Sequence, residues 1–375
     1  MADLDRILIV GGGIAGLTLA SALYRQGFPT ELVERNSIWP AIGAGIALQP
    51  NGMRVLHALG MGSALEHVGA AIRRWAFCDQ QGRVLCETDL QELWGDVAPF
   101  IGIERTKLHQ VLATGAATVP SRLGTSLESL SQDGRRVSVG FSDGTLSEYD
   151  LVVGADGISS TVRTLALSAA SPADLGAVNW RSIAPIRPHG LMGLQFLLGD
   201  DCFFGLCPVG DGRTYGFGYV TQSRTHDPLQ GRLQRLRDRF AAFGELVREY
   251  LAALERDEQV HCSTMEWVHV EDWHIGRVVL IGDAAHASSP LMGQGGCMAM
   301  EDAYVLAESL RSAPTVESAL SDYVTRRRPR VNWVQEQSIG TAETLRMPSA
   351  VRNSALRERG DQMMKSRFSP LIAAP

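Results

Sequence analysis

Apolar positions along the chain alternate between strand-like and helical periods. The segment 6–10 is apolar from Ile7 to Val10 and predicts a buried strand; 14–26 carries apolar residues at helical spacing; a second short strand spans 30–33 after Gly27. Strand, helix and strand at this spacing form a βαβ unit, which calls for a parallel sheet. Residues 51–68 read as one helix, and 72–89 alternate about Gly82 as an antiparallel hairpin. Leu108, Val111 and Leu112 recur at helical spacing and predict a helix over 106–117. Strands are expected around the turns Asp133-Gly134 and Asp143-Gly144, followed by an apolar strand at 151–153. From 171 to 272 the texture changes. Strand-like segments at 191–198, 202–209 and 214–220 are separated by Gly and Asp turns, and a charged helical stretch, 229–256, follows. This pattern predicts a mainly antiparallel sheet with helices on one face. A further buried strand, 278–281, leads through a Gly-rich turn into a helix over 296–310, and the remainder is helical and polar.

A chain of 375 residues with 45% hydrophobic and 20% charged positions suits two cooperating domains in one globular unit. The net charge of -6 offers no footprint for nucleic acid or an anionic membrane. The one basic run, Arg326, Arg327, Arg328 and Arg330, broken by Pro329, reads as a solvated helix end. Cysteines at 78, 86, 202, 207, 262 and 297 form no CxxC pair and no metal-ligand spacing, so they are expected as reduced thiols and no metal is expected. The chain enters an apolar strand with no signal peptide before it, and no apolar run reaches the ~18 residues of a membrane helix. A soluble, cytoplasmic protein without stable membrane insertion is the expectation.

Three segments carry chemistry. The first, Gly11-Gly12-Gly13-Ile14-Ala15-Gly16, follows a strand and opens a helix. Gly11 permits a tight turn, Gly13 lets a pyrophosphate approach the backbone, and Gly16 lets helix and strand pack closely; the helix N-terminus, with the amides of Ile14 and Ala15, offers donors and positive dipole. Glu34, beside Arg35 at the end of the next strand, is placed to accept from ribose hydroxyls. This segment alone does not separate FAD from NAD. The second is Gly154-Ala155-Asp156-Gly157, continuing to Ser160, Val162 and Arg163; the third is Gly282-Asp283-Ala284-Ala285-His286, continuing through Pro290 to Gly293-Gln294-Gly295-Gly296. Each ends a buried strand with an Asp facing the crevice where open α/β sheets bind ligands. The helix after Gly295 would aim its dipole at a flavin's pyrimidine edge.

The set GxGxxG, GADGxxSxVR and GDAAHxxxPxxGQG, spread over 11 to 296, resembles the single-component (class A) FAD-dependent aromatic hydroxylases, the p-hydroxybenzoate-hydroxylase-like flavoprotein monooxygenases. The resemblance implies an α/β fold: a Rossmann-like FAD-binding domain (1–70, 99–170 and 274–330) interrupted by a mainly antiparallel substrate domain (71–98 and 171–273), then a C-terminal helical segment, 331–375. By matching position, Asp156 and Asp283 inherit cofactor roles, Arg105 matches an arginine near the FAD, and the loop Gly43-Ala44-Gly45-Ile46 matches one passing beside the isoalloxazine. His286 is implied to be part of the fold motif rather than catalytic, and no catalytic base is named. The implied activity is NAD(P)H-consuming hydroxylation of a small aromatic or hydroxy-heteroaromatic substrate through a flavin C4a-hydroperoxide. The resemblance implies FAD as resident cofactor, NADH or NADPH as a transient donor without its own Gly-rich fingerprint, and O2 as co-substrate. The chain is expected as a monomer or homodimer. Phe196, Phe203, Phe204, Tyr215, Phe217 and Tyr219 are pocket candidates on the second domain's strands, with Tyr215 the polar contact. Arg181 or His189 is available for an anionic substrate. Urate hydroxylases of this family resemble the chain at the third motif but place an arginine where it has Phe203, which favours a phenol, benzoate-like or quinolone-like ring. A halogenase, a plain dehydrogenase and a flavin-binding protein that does not hydroxylate stand as alternatives. The tryptophans never fall two apart, as a halogenase Trp-x-Trp motif would need.

Overall fold

The structure, a computed structural model, describes residues 4–39, 44–167, 171–222 and 227–375. Its central sheet starts from the predicted βαβ unit. Strand β1 (Ile7–Val10) is wholly buried, helix α1 (Ile14–Arg25) packs over it, and β2 (Thr30–Glu34) returns parallel to it. Next come β3 (Gly45–Leu48), a helix α2 (Arg105–Gly115) and β4 (Leu151–Gly154). Strand β3 pairs antiparallel with Ile101–Glu104 in a separate three-stranded sheet, whereas β1, β2, β4 and β10 (Val278–Leu280) build a six-stranded sheet in the order His274–Ile275, β10, β4, β1, β2, Ser121–Leu123. All neighbours run parallel except the edge pair of His274–Ile275 with β10. Parallel strands covered on both faces need continuous apolar runs, and these supply them.

The register of this sheet decides where chemistry can happen. Val10 lies opposite Gly154, and Gly154 opposite Leu280. The Ala155 amide donates to Val10 at 2.8 Å, and the Ile281 amide to Gly154 at 3.0 Å. The three motifs, far apart in sequence, therefore leave the sheet side by side at its carboxyl edge.

A second, seven-stranded sheet is built from β5 (Ala173–Ala184), β6 (Leu194–Leu198), β7 (Cys202–Gly210), β8 (Arg213–Thr221) and β9 (His261–Trp267), with the hairpin Arg74–Asp79 and Val84–Asp89. The order is β9, β5, β8, β7, β6 and then the hairpin, antiparallel throughout except where β6 runs parallel to Arg74–Asp79. Period-two alternation splits its side chains. Phe204 points to one face, where Phe240 and Tyr250 from the helices Arg232–Arg239 and Glu245–Ala252 and their flanks cover it. Phe203, Phe217 and Tyr219 point to the other.

The single helix expected over 51–68 is two, Pro50–Ala58 and Gly62–Val68. Gly60 between them takes φ +71, a left-handed stop that glycine adopts without a Cβ penalty. The stretch 229–256 likewise divides, around Gly244. At the C-terminus, α3 (Gly295–Ser312) is followed by α4 (Val316–Arg346), which passes Pro329 and position 330 without interruption, and then by α5 (Ser349–Phe368). No helix among the described residues is long and apolar enough to cross a membrane.

Candidate functional site

The first glycine segment is shaped by contacts that exclude side chains. Gly11 sits at φ +110, and a Cβ there would come within 2.5 Å of the Ala155 carbonyl oxygen. A Cβ on Gly16 would overlap the Gly11 carbonyl oxygen. Gly13 is different: a Cβ there would meet nothing within 4 Å. The space over it is open, and no side chain caps α1. A helix start with unspent amides, free space above its glycine and an acid at the next strand's end suits a dinucleotide pyrophosphate and ribose. Glu34 is nearly buried; its Oε2 accepts from the Gly12 amide at 2.8 Å, and its Oε1 from the Asn36 amide at 2.9 Å. Arg35 is exposed at the rim. Sequence reasoning missed His109, on α2, whose Nε2 lies 2.8 Å from the Gly12 carbonyl and braces the glycine turn from behind.

In the second segment the Asp156 carboxylate is spent within the chain. Its Oδ1 accepts from the Ser160 hydroxyl at 2.5 Å and its Oδ2 from the Thr161 amide at 2.7 Å, capping the helix Thr161–Leu167. Burial pushes its pKa up, against the pull of those hydrogen bonds. Gly157, at φ +79, makes the turn. Arg163 is buried and ties this segment to the third: its Nη1 donates to the Ala284 carbonyl at 2.9 Å and its Nη2 to Ile158 at 2.6 Å.

In the third segment Gly282 takes φ +58 and Asp283 opens a single helical turn, exposed, its carboxylate without hydrogen bond or ion pair among the described residues. Pro290 is exposed, and Gly293 takes φ +62. The Gln294 side chain faces the interior instead of the crevice: its Nε2 donates to Gln49 Oε1 at 2.8 Å, and its Oε1 accepts from Asn51 at 2.9 Å. Only its backbone remains for a ligand. Gly295 and Gly296 open α3, and a Cβ on Gly296 would lie 3.0 Å from Ile46 Cδ1 and 3.7 Å from Ile14 Cδ1. The helix starts of α1 and α3 and strand β3 thus meet around Ile14, Ile46 and Gly296. Gly43 lies outside the described residues.

The aromatic face of the seven-stranded sheet closes this crevice. A Cβ on Gly45 would overlap the Tyr215 ring, so β3 lies directly against it. Phe217 stacks on Tyr215 with ring centroids 5.0 Å apart, and Phe196 meets both Phe203 and Phe217 at 5.4 Å. Phe203 is buried and stacked on Tyr219 at 4.9 Å. Phe204 faces the opposite way, into the helical layer. Arg105, Arg181 and Tyr215 lie within electrostatic reach of one another. Burial lowers the Arg105 pKa, with Arg181 adding to the effect and Asp283 opposing it. Burial pushes the Tyr215 hydroxyl up to about 12, against both arginines, so it stays a donor at neutral pH. His189 is exposed on a loop, its amide held by Glu249 at 2.9 Å, away from this face.

His286 is turned from the crevice. Its Nε2 lies 2.6 Å from Asp302 Oδ2, which also accepts from the Gly282 amide at 2.9 Å. The expected solvated basic run is the other half of this network. Arg327 is fully buried, its Nε donating to Asp302 at 2.8 Å and its Nη1 to Glu301 at 2.6 Å, while Arg330 holds Glu301 through two further bonds. Buried carboxylates demand paired cations, and a helix with Arg327 and Arg330 three apart presents both to the adjacent acids. The readable signal was Glu301-Asp302 inside an otherwise apolar stretch of helix.

Residues 5–338 match the family described as FAD binding domain. The chain is 32% identical over 329 residues to an aurachin C monooxygenase/isomerase of Stigmatella aurantiaca, covering 87% of this chain and 86% of that protein. It is 33% identical over 364 residues to a 3-amino-4-hydroxybenzoate 2-monooxygenase of Streptomyces cremeus, covering 93% and 90%. Among solved structures it is similar to Klebsiella pneumoniae HpxO complexed with FAD and uric acid, with a TM-score of 0.91 and 26% identity over 99% of this chain and 97% of that one.

Proposed function

The chain belongs to the FAD binding domain family of flavin-dependent monooxygenases, and from that premise we propose that it hydroxylates a small aromatic or hydroxy-heteroaromatic ring, using NADH or NADPH and O2, as a cytoplasmic monomer or homodimer. One observation carries the reading: an aromatic sheet face lies directly against Gly45, while the neighbouring Ile46 and Ile14, at the start of α1, both lie against Gly296 at the start of α3. Bound FAD supplies the redox chemistry, passing electrons from NAD(P)H to O2 so that one oxygen atom enters the ring and the other leaves as water.

The chain's residues do the rest. Gly11, Gly13 and Gly16, with the amides of Ile14 and Ala15, hold the pyrophosphate, and Glu34 the ribose. Asp283, whose carboxylate is unspent, accepts from the ribityl chain, and Arg105 offsets negative charge beside it. Gly45, Ile46, Gly295 and Gly296 border the ring system. Asp156, by contrast, acts through the backbone turn it caps. Phe196, Phe203 and Phe217 exclude water and give the substrate a flat apolar wall; Tyr215, protonated at neutral pH, donates a hydrogen bond at its edge.

The test is NADH and NADPH oxidation by the FAD-loaded protein against phenols, benzoates, quinolones and urate, with peroxide and hydroxylated product assayed together. Substrate-stimulated oxidation that yields product supports the reading. Bound flavin with no stimulated oxidation by any ring refutes hydroxylation of these classes.

A further inference from the structure

The aromatic face carries one polar pole. Arg181 lies across from Phe217 on β8 and His261 on β9, and Asn179, two residues earlier on the same face, lies across from Tyr219 and Ser263. Arg181 Nη2 donates to the Ser263 hydroxyl at 3.1 Å, while its Nε is buried without a partner. Asn179 is 8% exposed, and its Oδ1 is likewise buried and unpaired. Neither Arg181 nor Arg105 forms an ion pair among the described residues, and each lies within the other's field. The third cationic candidate at this end, His261, is held below its ordinary pKa by burial, by Arg181 and by Arg232, and so stays neutral. Among the described residues, the charged groups that act on Arg105 are Arg181, which opposes its charge, and Asp283, which favours it. A partly buried guanidinium with an idle N–H, next to an idle amide oxygen, is costly unless a ligand completes it.

Resting on the hydroxylase reading above, we infer that Arg181 and Asn179 recognise an anionic substituent on the substrate ring, a carboxylate, with a hydrogen-bond donor such as a hydroxyl or amino group beside it. Arg181 supplies the charge and the fork of donors that a carboxylate accepts, and Asn179 Oδ1 accepts from the neighbouring donor. His189, the other cation available on sequence grounds, lies on an exposed loop away from the face.

Binding is measured on the FAD-loaded protein by the change in flavin absorbance, without turnover. The probes are 2-, 3- and 4-hydroxybenzoate, each against its own amide. The wild-type protein should bind at least one acid about ten times or more tighter than its amide. Arg181→Met should erase that preference, raising the acid's Kd about 10- to 100-fold with FAD content unchanged, and Arg181→Lys should restore part of it. Acids and amides binding equally to the wild-type protein, or a preference that survives Arg181→Met, overturns the inference. Acid-selective binding without any hydroxylated product leaves the pole standing and overturns only the activity; hydroxylation confined to neutral rings does the reverse.

Discussion

Arg327 gives the sharpest test of how this chain is held together. Replacing it by Met keeps most of the side chain's length and removes one cation from a wholly buried site. Four contacts go: Nε to Asp302 at 2.8 Å, Nη1 to Glu301 at 2.6 Å, and Nη2 to the Met298 carbonyl at 3.3 Å and to the Met298 sulfur at 3.4 Å. Removing one partner of a buried pair costs about 3–5 kcal/mol, because the other charge is stranded. Here neither acid is stranded completely. Glu301 keeps Arg330 at 2.7 and 2.8 Å and Asn51 at 3.0 Å, and Asp302 keeps His286 and the Gly282 amide. The expected loss is therefore at the lower end, about 3 kcal/mol. Urea unfolding followed by circular dichroism should show the midpoint of Arg327→Met falling by ~1 M, at an m value of about 3 kcal/mol/M. Arg326→Met is the internal control. Its pair with Glu308 spans 2.8 Å with side chains 32% and 36% exposed, so its loss should stay under about 0.5 kcal/mol. Equal, small shifts for both variants would refute the buried network and return Arg327 to the class of solvated helix-end arginines.

The remaining predictions concern the crevice and its pH dependence. Gly13→Ala should melt like the wild type as apoprotein yet bind FAD at least ~10-fold more weakly, since its methyl enters open space, whereas Gly16→Ala, which overlaps the Gly11 carbonyl, should lower both; fluorescence titration with FAD and thermal melts separate the two. Asp283→Ala should weaken FAD by about 1–2 kcal/mol in the same titration, and an unchanged dissociation constant removes it from the cofactor site. Burial would raise the Asp302 carboxyl, but His286 and Arg327 outweigh it and hold the pKa at about 2, below the ordinary 3.8. A depressed carboxylate stabilises the fold above its unfolded pKa, and that stability is lost as pH falls from near 4 through about 2. The wild type's advantage over Asp302→Asn should thus shrink by ~2 kcal/mol across that window in acid unfolding curves. Tyr215→Phe should keep FAD and change KM or peroxide yield, because it deletes a donor and nothing from the apolar wall.

The parts that were legible in the sequence are those whose causes are local. A glycine turn between an apolar strand and a helix start declares its own geometry, and three of them needed only the sheet's register to meet, Val10 beside Gly154 beside Leu280. The parts that were not legible depend on partners brought in from elsewhere. Arg327 reads as a surface residue until the helix carrying Glu301 and Asp302 packs against it. Arg181 and His189 are equivalent on paper, and only the pairing of Arg181 with Phe217 turns one of them toward the aromatic face. Asp156 shows the converse. Its place at a strand end suggests a ligand acceptor, yet Ser160, four residues on, and the amides of the next helix claim both its oxygens. Asp283, in the matching place on the neighbouring strand, has no such hydroxyl within reach and keeps its carboxylate free among the described residues. Two motifs that look alike in sequence therefore divide the work: one fixes the backbone and the other presents a charge, and the difference lies in what each aspartate's own helix asks of it.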